Sequence, residues 1–360
     1  MMRFNFFESW LMFADARPPS KDLDEYAGFL MKDLARLEEF LDNPVPKRTL
    51  MDFVPRVFSP LIACQLSISQ LAWIEELYRR VLQTGGAGTT YVQEQLIELL
   101  ALSQDPGSIP FWLELLDYQS PRRDSFKKQR QTYSIAAIAL IAARKDSPEA
   151  KQAMQQLCRH ENPDIRAQAI YYLGIVFGYA ERELSAEIQV LFREIAVQDQ
   201  AFEPRFQARS MLRLFELPVP ADPVDRVFAF RVRFLHAKRL FSVTIELLSE
   251  HTLEDLHNEI QSALHWDNDH LYSFYLIGKD RWTRDDRFRS PYEDEGPHTT
   301  EAVLGELGLT EKHKFLYLFD YGDGHKFEVQ VVDILTKTEG TKYPRVVDRK
   351  GKPPRQYGRW

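Results

Sequence analysis

Histidine and aspartate side chains that could ligate a metal ion are concentrated in the last part of this 360-residue sequence. Eight of the nine histidines follow residue 220. Two or three imidazoles together with carboxylates suit zinc or iron and can leave a coordination position open for chemistry. Because the candidates lie in separate stretches of the sequence, a shared site requires that the fold bring those stretches together. The candidate metal ligands are His257, Asp267, His270, Asp320, Asp323 and His325.

The same residues also suit structural roles. His257 lies at the edge of a predicted buried helix face, where its ring can hydrogen-bond a backbone carbonyl, and Trp266 is expected to fill the core after that helix. Asp267 and Asp269 suit a turn, because aspartate side chains bond nearby backbone donors. Residues 320–324 (Asp-Tyr-Gly-Asp-Gly) are typical of a tight hairpin turn. Neither a His-Glu-x-x-His motif nor a Gly-x-Ser-x-Gly elbow occurs, so we expect no catalytic residue and no cofactor, with metal binding as the alternative.

Basic and aromatic residues near the end of the sequence indicate a second kind of chemistry, contact with nucleic acid. Residues 342–360 hold seven Lys and Arg against one acid, Asp348, a net charge of +6, and residues 279–284 form a shorter basic stretch. Such cations neutralise phosphates, and aromatic rings stack on bases. The alternative is that the tail packs on its own acidic domain. The candidate nucleic-acid contacts are Arg281, Trp282, Arg284, Arg349, Lys350, Lys352 and Arg355.

The elements before residue 218 are predicted to be helices. Apolar residues recur there at i, i+3, i+4 and i+7, and helices are predicted to begin near Tyr91, Gln131, Pro163 and Pro204. Two-helix units at a spacing of roughly 40 residues are typical of HEAT or armadillo solenoids. The stretch 162–169 (Asn-Pro-Asp-Ile-Arg-Ala-Gln-Ala) also resembles the HEAT consensus. We therefore predict an N-terminal α-solenoid, HEAT-like, over residues 1–217.

Three prolines within residues 218–223 cannot continue a helix, so we predict a linker at 218–225. The residues that follow alternate at the β period over 227–234 and 241–247, and a helix is predicted from Thr252. Further strands are predicted at 271–277, 315–319 and 327–334. This pattern predicts a small α+β domain with a mainly antiparallel sheet over 226–360. The fold class is therefore multidomain, α followed by α+β.

Composition excludes several classes of protein. Apolar residues make up 44% and charged residues 28%, which fits neither a disordered chain nor a membrane-spanning one. The net charge of −7 argues against a globally basic nucleic-acid binder. Cys64 and Cys158 are too few to form a disulfide framework. Polar residues interrupt the aromatic-rich segment 1–20, which argues against a targeting segment, and we expect it to pack on the body of the protein. These features predict a cytoplasmic location.

Three stretches of the C-terminal part resemble the plasmid pRiA4b ORF-3-like family. They are TLEDLHNEIQSALHWDNDHLYSF, FLYLFDYGDGHKFEV and YPRVVDRKGKPPRQYG, and the resemblance covers about residues 226–358. It implies the α+β fold of the family and little about activity. Where the family typically shows Trp-x-His after its Gly-Asp pair, this chain has His325 and Phe327. The residues that match the family signature are His257, Trp266, Asp267, His270, Asp320, Gly322, Asp323, Tyr343 and Pro344.

The predicted function is that of an adaptor without catalysis, which binds a protein partner through its helical repeats. A solenoid offers an extended binding surface and seldom carries chemistry. The first alternative is an accessory protein of a mobile or defence element that contacts nucleic acid through the basic tail. The second is a metal-dependent hydrolase.

Overall fold

The computed structural model describes residues 21–43, 45–61, 66–84, 89–121, 124–181, 183–237, 241–277 and 287–357. Two compact units divide the chain, residues 1–184 and residues 185–360. The segment 1–20 and Cys64 lie outside the described residues. Among the described residues, no helix combines the length and the apolar character that a bilayer crossing needs.

The first unit is built from helices. Helix α3 (Ile68–Thr84) buries one apolar face, as the sequence period predicts: Leu71, Ile74, Leu77, Tyr78 and Val81 are buried. Helix α6 (Lys127–Arg144) is instead buried on nearly all sides, since every residue from 133 to 142 is buried. The helices are α1 (Lys21–Asp42), α2 (Lys47–Leu61), α3 (Ile68–Thr84), α4 (Thr89–Ser103), α5 (Ile109–Asp117), α6 (Lys127–Arg144), α7 (Pro148–Leu157) and α8 (Pro163–Glu181).

Side-chain contacts between helices of this unit recur at a nearly constant sequence separation. Gln129 bonds Glu94 and Tyr133 bonds Glu98, both across 35 residues, and Thr132 bonds Gln168 across 36. The HEAT-like assignment stays a prediction.

The basic run at the start of α6, residues 127–130, is not wholly exposed to solvent. Arg130 is fully buried and pairs with Asp124 at 2.7 Å.

The second unit combines helices with one antiparallel sheet. The elements are α9 (Ala186–Gln198), α10 (Phe202–Leu214), β1 (Arg226–Phe234), β2 (Phe241–Leu248), α11 (Leu253–Leu264), β3 (Tyr272–Tyr275), β4 (Arg287–Arg289), β5 (Lys314–Phe319), β6 (His325–Thr336) and β7 (Arg345–Gly351). The strand order is β4-β3-β5-β6-β1-β2-β7, and every pairing between these strands is antiparallel. This confirms the predicted order of an α region followed by an α+β region.

One face of the sheet forms the core of the second unit. Alternate residues of the strands point to this face, such as Phe228, Phe230 and Val232 of β1, and α11 covers them with Leu256 and Ile260. Helix α11 begins where the sequence predicts a helix, at a capping box between Thr252 and Asp255.

The division between the compact units differs from the predicted one. Helices α9 and α10, predicted as part of the helical region 1–217, lie in the second unit. The proline-rich segment 218–225 is fixed within that unit, because Asp222 N donates to Gly305 O at 2.9 Å and Ser249 Oγ donates to Pro223 O at 2.7 Å. Arg209 of α10 also donates to Gly305 O. These bonds hold the segment and α10 to the sheet.

The sequence pattern does not predict two of the described strands, β4 and β7. Strand β4 has only three residues, too few to show an alternating pattern. All seven residues of β7 are exposed, so no apolar period marks it. Among the described strands β7 pairs only with β2, where it forms one edge of the sheet.

Candidate metal centre

The hairpin between β5 and β6 positions the carboxylates of the candidate site. Asp320 adopts a left-handed backbone conformation (φ 57°), which Asp tolerates better than most residues. Its Oδ1 accepts hydrogen bonds from Gly322 N at 2.9 Å and from Asp323 N at 3.2 Å. A Cβ at Gly322 would lie only 3.3 Å from that oxygen, which explains the glycine. The turn therefore fixes Oδ1 of this buried residue, while Oδ2 takes no part in the turn and lies 3.6 Å from His270 Nε2.

His325, the first residue of β6, is the most buried member of the site. Its side chain is 2% exposed and packs against Trp266, with ring centroids 4.6 Å apart, and against the rings of Phe319 and Phe234. Neither ring nitrogen has a hydrogen-bond partner among the described residues. Burial lowers the pKa of His325, while the charges of Asp320 and Asp323 oppose that shift. The ring is therefore held neutral, which is the form that ligates metals.

The structure brings together three of the six candidate ligands. One ligand atom each from Asp320, Asp323 and His325 lies within 4.8 Å of the others. His325 Nε2 is 3.9 Å from Asp323 Oδ2, so the two groups do not form a direct hydrogen bond. His270 approaches from the other side, with its Nε2 3.6 Å from Asp320 Oδ2. It contacts one ligand rather than the whole cluster.

His257 is held elsewhere in the core. Its Nδ1 lies 2.7 Å from the Tyr317 hydroxyl and its Nε2 lies 2.7 Å from Asn268 Oδ1, so both nitrogens are occupied. These partners are side chains, not the backbone carbonyl expected from the sequence. Burial lowers the pKa of His257 to about 4.

The remaining signature residues lie around a second contact. Trp266 Nε1 donates to Pro354 O at 2.8 Å, and Asp267 N donates to Gln356 Oε1 at 2.7 Å while the Asp267 side chain is exposed. Tyr343 and Pro344 lie just before β7, where the Tyr343 ring packs under the Arg345 guanidinium. Sequence reasoning missed Gln356, since a glutamine in an irregular segment carries no periodic signal.

The basic residues of the C-terminal segment up to residue 357 are exposed. Arg349 and Lys350 lie on β7, and Lys352 and Arg355 follow it. Lys350 lies 3.6 Å from Asp348, and Arg349 Nη1 lies 3.5 Å from His265 Nε2. The other predicted nucleic-acid contacts, Arg281, Trp282 and Arg284, lie outside the described residues.

The two units differ in the chemistry that they offer. Cys158 of the first unit is buried, and burial raises the pKa of its thiol to about 12, so it is an unreactive core residue. The second unit is an α+β domain that carries a cluster of histidine and carboxylates at one hairpin.

Comparisons with known proteins found a family model, a curated relative and a solved structure that are similar to this chain. Residues 226–358 match the model of the family described as Plasmid pRiA4b ORF-3-like protein, which confirms the resemblance of the sequence motifs. The uncharacterized protein y4hQ of Sinorhizobium fredii is 31% identical over 111 residues, 29% of this chain. The chain spans about half (53%) of the length of that relative. The crystal structure of MM3350, a protein of unknown function from Methanosarcina mazei Go1, is 23% identical and has a TM-score of 0.32, covering 37% of this chain and 73% of that one.

Proposed function

We propose that the second unit binds a divalent transition-metal ion through Asp320, Asp323 and His325. The observation that carries this proposal is His325, a 2% exposed side chain whose two nitrogens lack partners and which lies beside two carboxylates. A buried polar group without a hydrogen bond costs about 1–3 kcal/mol. A metal ion bound to one nitrogen removes much of that cost.

The donor set indicates the class of ion. Imidazole nitrogen suits zinc, iron and nickel, whereas Mg²⁺ and Ca²⁺ prefer oxygen ligands alone. Ligand atoms around a tetrahedral zinc ion are about 3.3 Å apart, given metal–ligand distances near 2 Å. The ligand atoms here lie within 4.8 Å of one another, so a small contraction closes the site. Asp323 is exposed and can make most of that movement.

Exposed carboxylates near the cluster favour a cation over an anionic substrate. Asp323 is exposed, and so are Asp267 and Asp269 of the loop that leads to His270. Desolvation raises the pKa of the Tyr357 hydroxyl, and the negative charges of Asp269 and Asp267 raise it further. Carboxylates attract metal ions and repel phosphate esters. We therefore propose metal binding and assign no reaction to the site.

Metal titration of the full chain tests the proposal. We expect the wild-type protein to bind one Zn²⁺ per chain by isothermal titration calorimetry. Asp320→Asn keeps an oxygen for the turn but removes the charge, so it should weaken binding at least tenfold. The matched control is Asp333→Asn, an exposed aspartate elsewhere on β6, which should bind like the wild type. Wild-type protein that binds no zinc, iron or nickel contradicts the proposal.

A second candidate function, contact with single-stranded nucleic acid, is favoured by the exposure of the basic C-terminal segment. Every residue of β7 is exposed, and Lys352 and Arg355 beyond it are exposed as well. Each cation that neutralises a phosphate adds about 0.7–0.9 to the slope of log affinity against log salt. Binding of a protein partner by the helical repeats and a hydrolase activity stay predictions.

Anisotropy of a labelled single-stranded oligonucleotide tests this second function. The double variant Lys352→Gln/Arg355→Gln should bind more weakly and lower the salt slope by about 1.4, since each cation contributes about 0.7 on a single strand. The control Lys47→Gln/Arg48→Gln removes two exposed cations of the first unit and should leave the slope unchanged. Equal slopes in both variants and the wild type exclude the C-terminal segment as the contact.

A further inference from the structure

The segment 354–357 is fixed to the loop that follows α11. Trp266 Nε1 donates to Pro354 O at 2.8 Å. Gln356 then pairs with the backbone of Asp267, because its Oε1 accepts from Asp267 N at 2.7 Å and its Nε2 donates to Asp267 O at 3.0 Å. Gln356 is 8% exposed, so these bonds are shielded from water. The side chain thereby ties two irregular stretches together as a strand pair would.

The same loop leads directly to the metal ligands. The ring of Trp266 packs on the ring of His325, and at the other end of the loop His270 Nε2 lies 3.6 Å from Asp320 Oδ2. The Tyr357 hydroxyl lies 3.5 Å from His270 Nε2. The loop between Trp266 and His270 thus touches two of the three proposed ligands, and Gln356 holds its middle.

We propose that Gln356 is a positioning residue of the metal centre. The inference rests on the proposed function, since it concerns the same ion. A site whose ligands are already ordered loses less conformational entropy when the ion binds, and residues that support ligands commonly change metal affinity 10–100-fold. Without Gln356 the loop loses three hydrogen bonds, two at the Asp267 backbone and one to Asp269 Oδ1 at 3.4 Å. Trp266 and His270 then lose the support that keeps them against His325 and Asp320.

The coupling works in both directions. If Gln356 raises the affinity for the metal, then the metal must stabilise the Gln356 contact by the same factor. The Asp267 amide reports on this contact, because its N–H donates to Gln356 Oε1. Zinc should therefore slow hydrogen exchange of the Asp267 amide in the wild-type protein. The control is the amide of Ala201, the residue before α10, which donates to Asp199 Oδ1 at 2.8 Å. Its exchange rate should not change when zinc is added.

Cobalt titration of full-length variants provides the second test. Gln356→Met has the same length but makes none of the three hydrogen bonds, and it should weaken Co²⁺ binding about tenfold and alter the visible spectrum of the bound ion. Gln152→Met, at an exposed position of α7, is the matched control and should match the wild type in affinity and spectrum.

The outcomes separate the two proposals. Wild-type protein that takes up no Co²⁺ or Zn²⁺ contradicts the metal site itself. Wild-type protein that binds the ion with an unchanged Asp267 exchange rate, together with a Gln356→Met protein of equal affinity and spectrum, leaves the metal site standing and overturns the role of Gln356. The exchange measurement uses the wild-type chain alone, so it holds even where Gln356→Met does not fold.

Discussion

The ring of His257 lies flat on the ring of Tyr272, with centroids 3.5 Å apart and planes only 3° from parallel. The Tyr317 hydroxyl accepts a hydrogen bond from Gln261 Nε2 and donates to His257 Nδ1, while His257 Nε2–H donates to Asn268 Oδ1. This arrangement satisfies a neutral imidazole completely and leaves no acceptor for a second ring proton. His257 is therefore a structural member of the core between α11 and the sheet.

This environment predicts that acid destabilises the second unit. Burial lowers the pKa of His257 to about 4, whereas the unfolded residue titrates near 6.5. The unfolded chain therefore binds a proton that the folded chain does not, and stability falls as the pH drops from about 6.5 to 4. The full shift corresponds to about 3 kcal/mol. Urea unfolding at several pH values should show this loss of unfolding free energy. In His257→Gln the free energy of unfolding should depend less on pH. A dependence as steep as that of the wild type contradicts the structural role of His257.

The replacement of His325 by phenylalanine should separate stability from metal binding. The pocket around His325 is made of aromatic rings, and the unpartnered nitrogens are costly there. Without metal, His325→Phe should therefore stabilise the protein by about 1–2 kcal/mol. At zinc concentrations of about 100 times Kd the wild type should gain about 3 kcal/mol and the variant nothing. Thermal unfolding with chelator and with zinc measures both; a variant that zinc still stabilises contradicts the ligand role.

The first unit should become less stable at high pH because of Glu98. Desolvation raises the pKa of this half-buried carboxyl to about 7, although the Tyr133 hydroxyl donates to it at 2.9 Å. A raised pKa means that the folded state favours the protonated form of Glu98. The free energy of unfolding therefore falls as the pH rises from 4.5 through 7. Glu98→Gln should stabilise by about 1–2 kcal/mol at pH 8 and little at pH 5. Glu39→Gln, at an exposed position, is the control for urea unfolding and should show no such pH dependence.

Two glycines with the same backbone conformation should respond differently to alanine. Gly308 (φ 73°) and Gly340 (φ 72°) both adopt the left-handed region, which costs about 1–2 kcal/mol for alanine. A Cβ at Gly308 would lie 3.2 Å from Arg205 Cβ and 3.3 Å from Arg209 Cδ, whereas a Cβ at Gly340 meets nothing within 4 Å. Gly308→Ala should therefore cost about 1–3 kcal/mol more than Gly340→Ala in urea unfolding. Equal losses would show that α10 does not pack tightly on this turn.

Local sequence patterns predicted the elements with strong periodicity. The helix starts at Thr89, Lys127, Pro163 and Phe202 lie within four residues of those expected, because apolar residues mark these segments clearly in the sequence. The β5–β6 hairpin follows from its Asp-Gly turn. Strand β7 could not be found in this way, since all its residues are exposed and pairing with β2 alone defines it.

The residues of the candidate site were likewise predictable from the sequence only in part. By itself the sequence determined which side chains were available, the family resemblance of residues 226–358, and the turn that fixes Asp320. Only the tertiary structure decided that His325 joins Asp320 and Asp323 while His257 is saturated by Tyr317 and Asn268. The physical reason is that hydrogen-bond saturation and burial depend on residues far away in the sequence. Gln356 reaches Asp267 across 89 positions, and no local pattern encodes that contact.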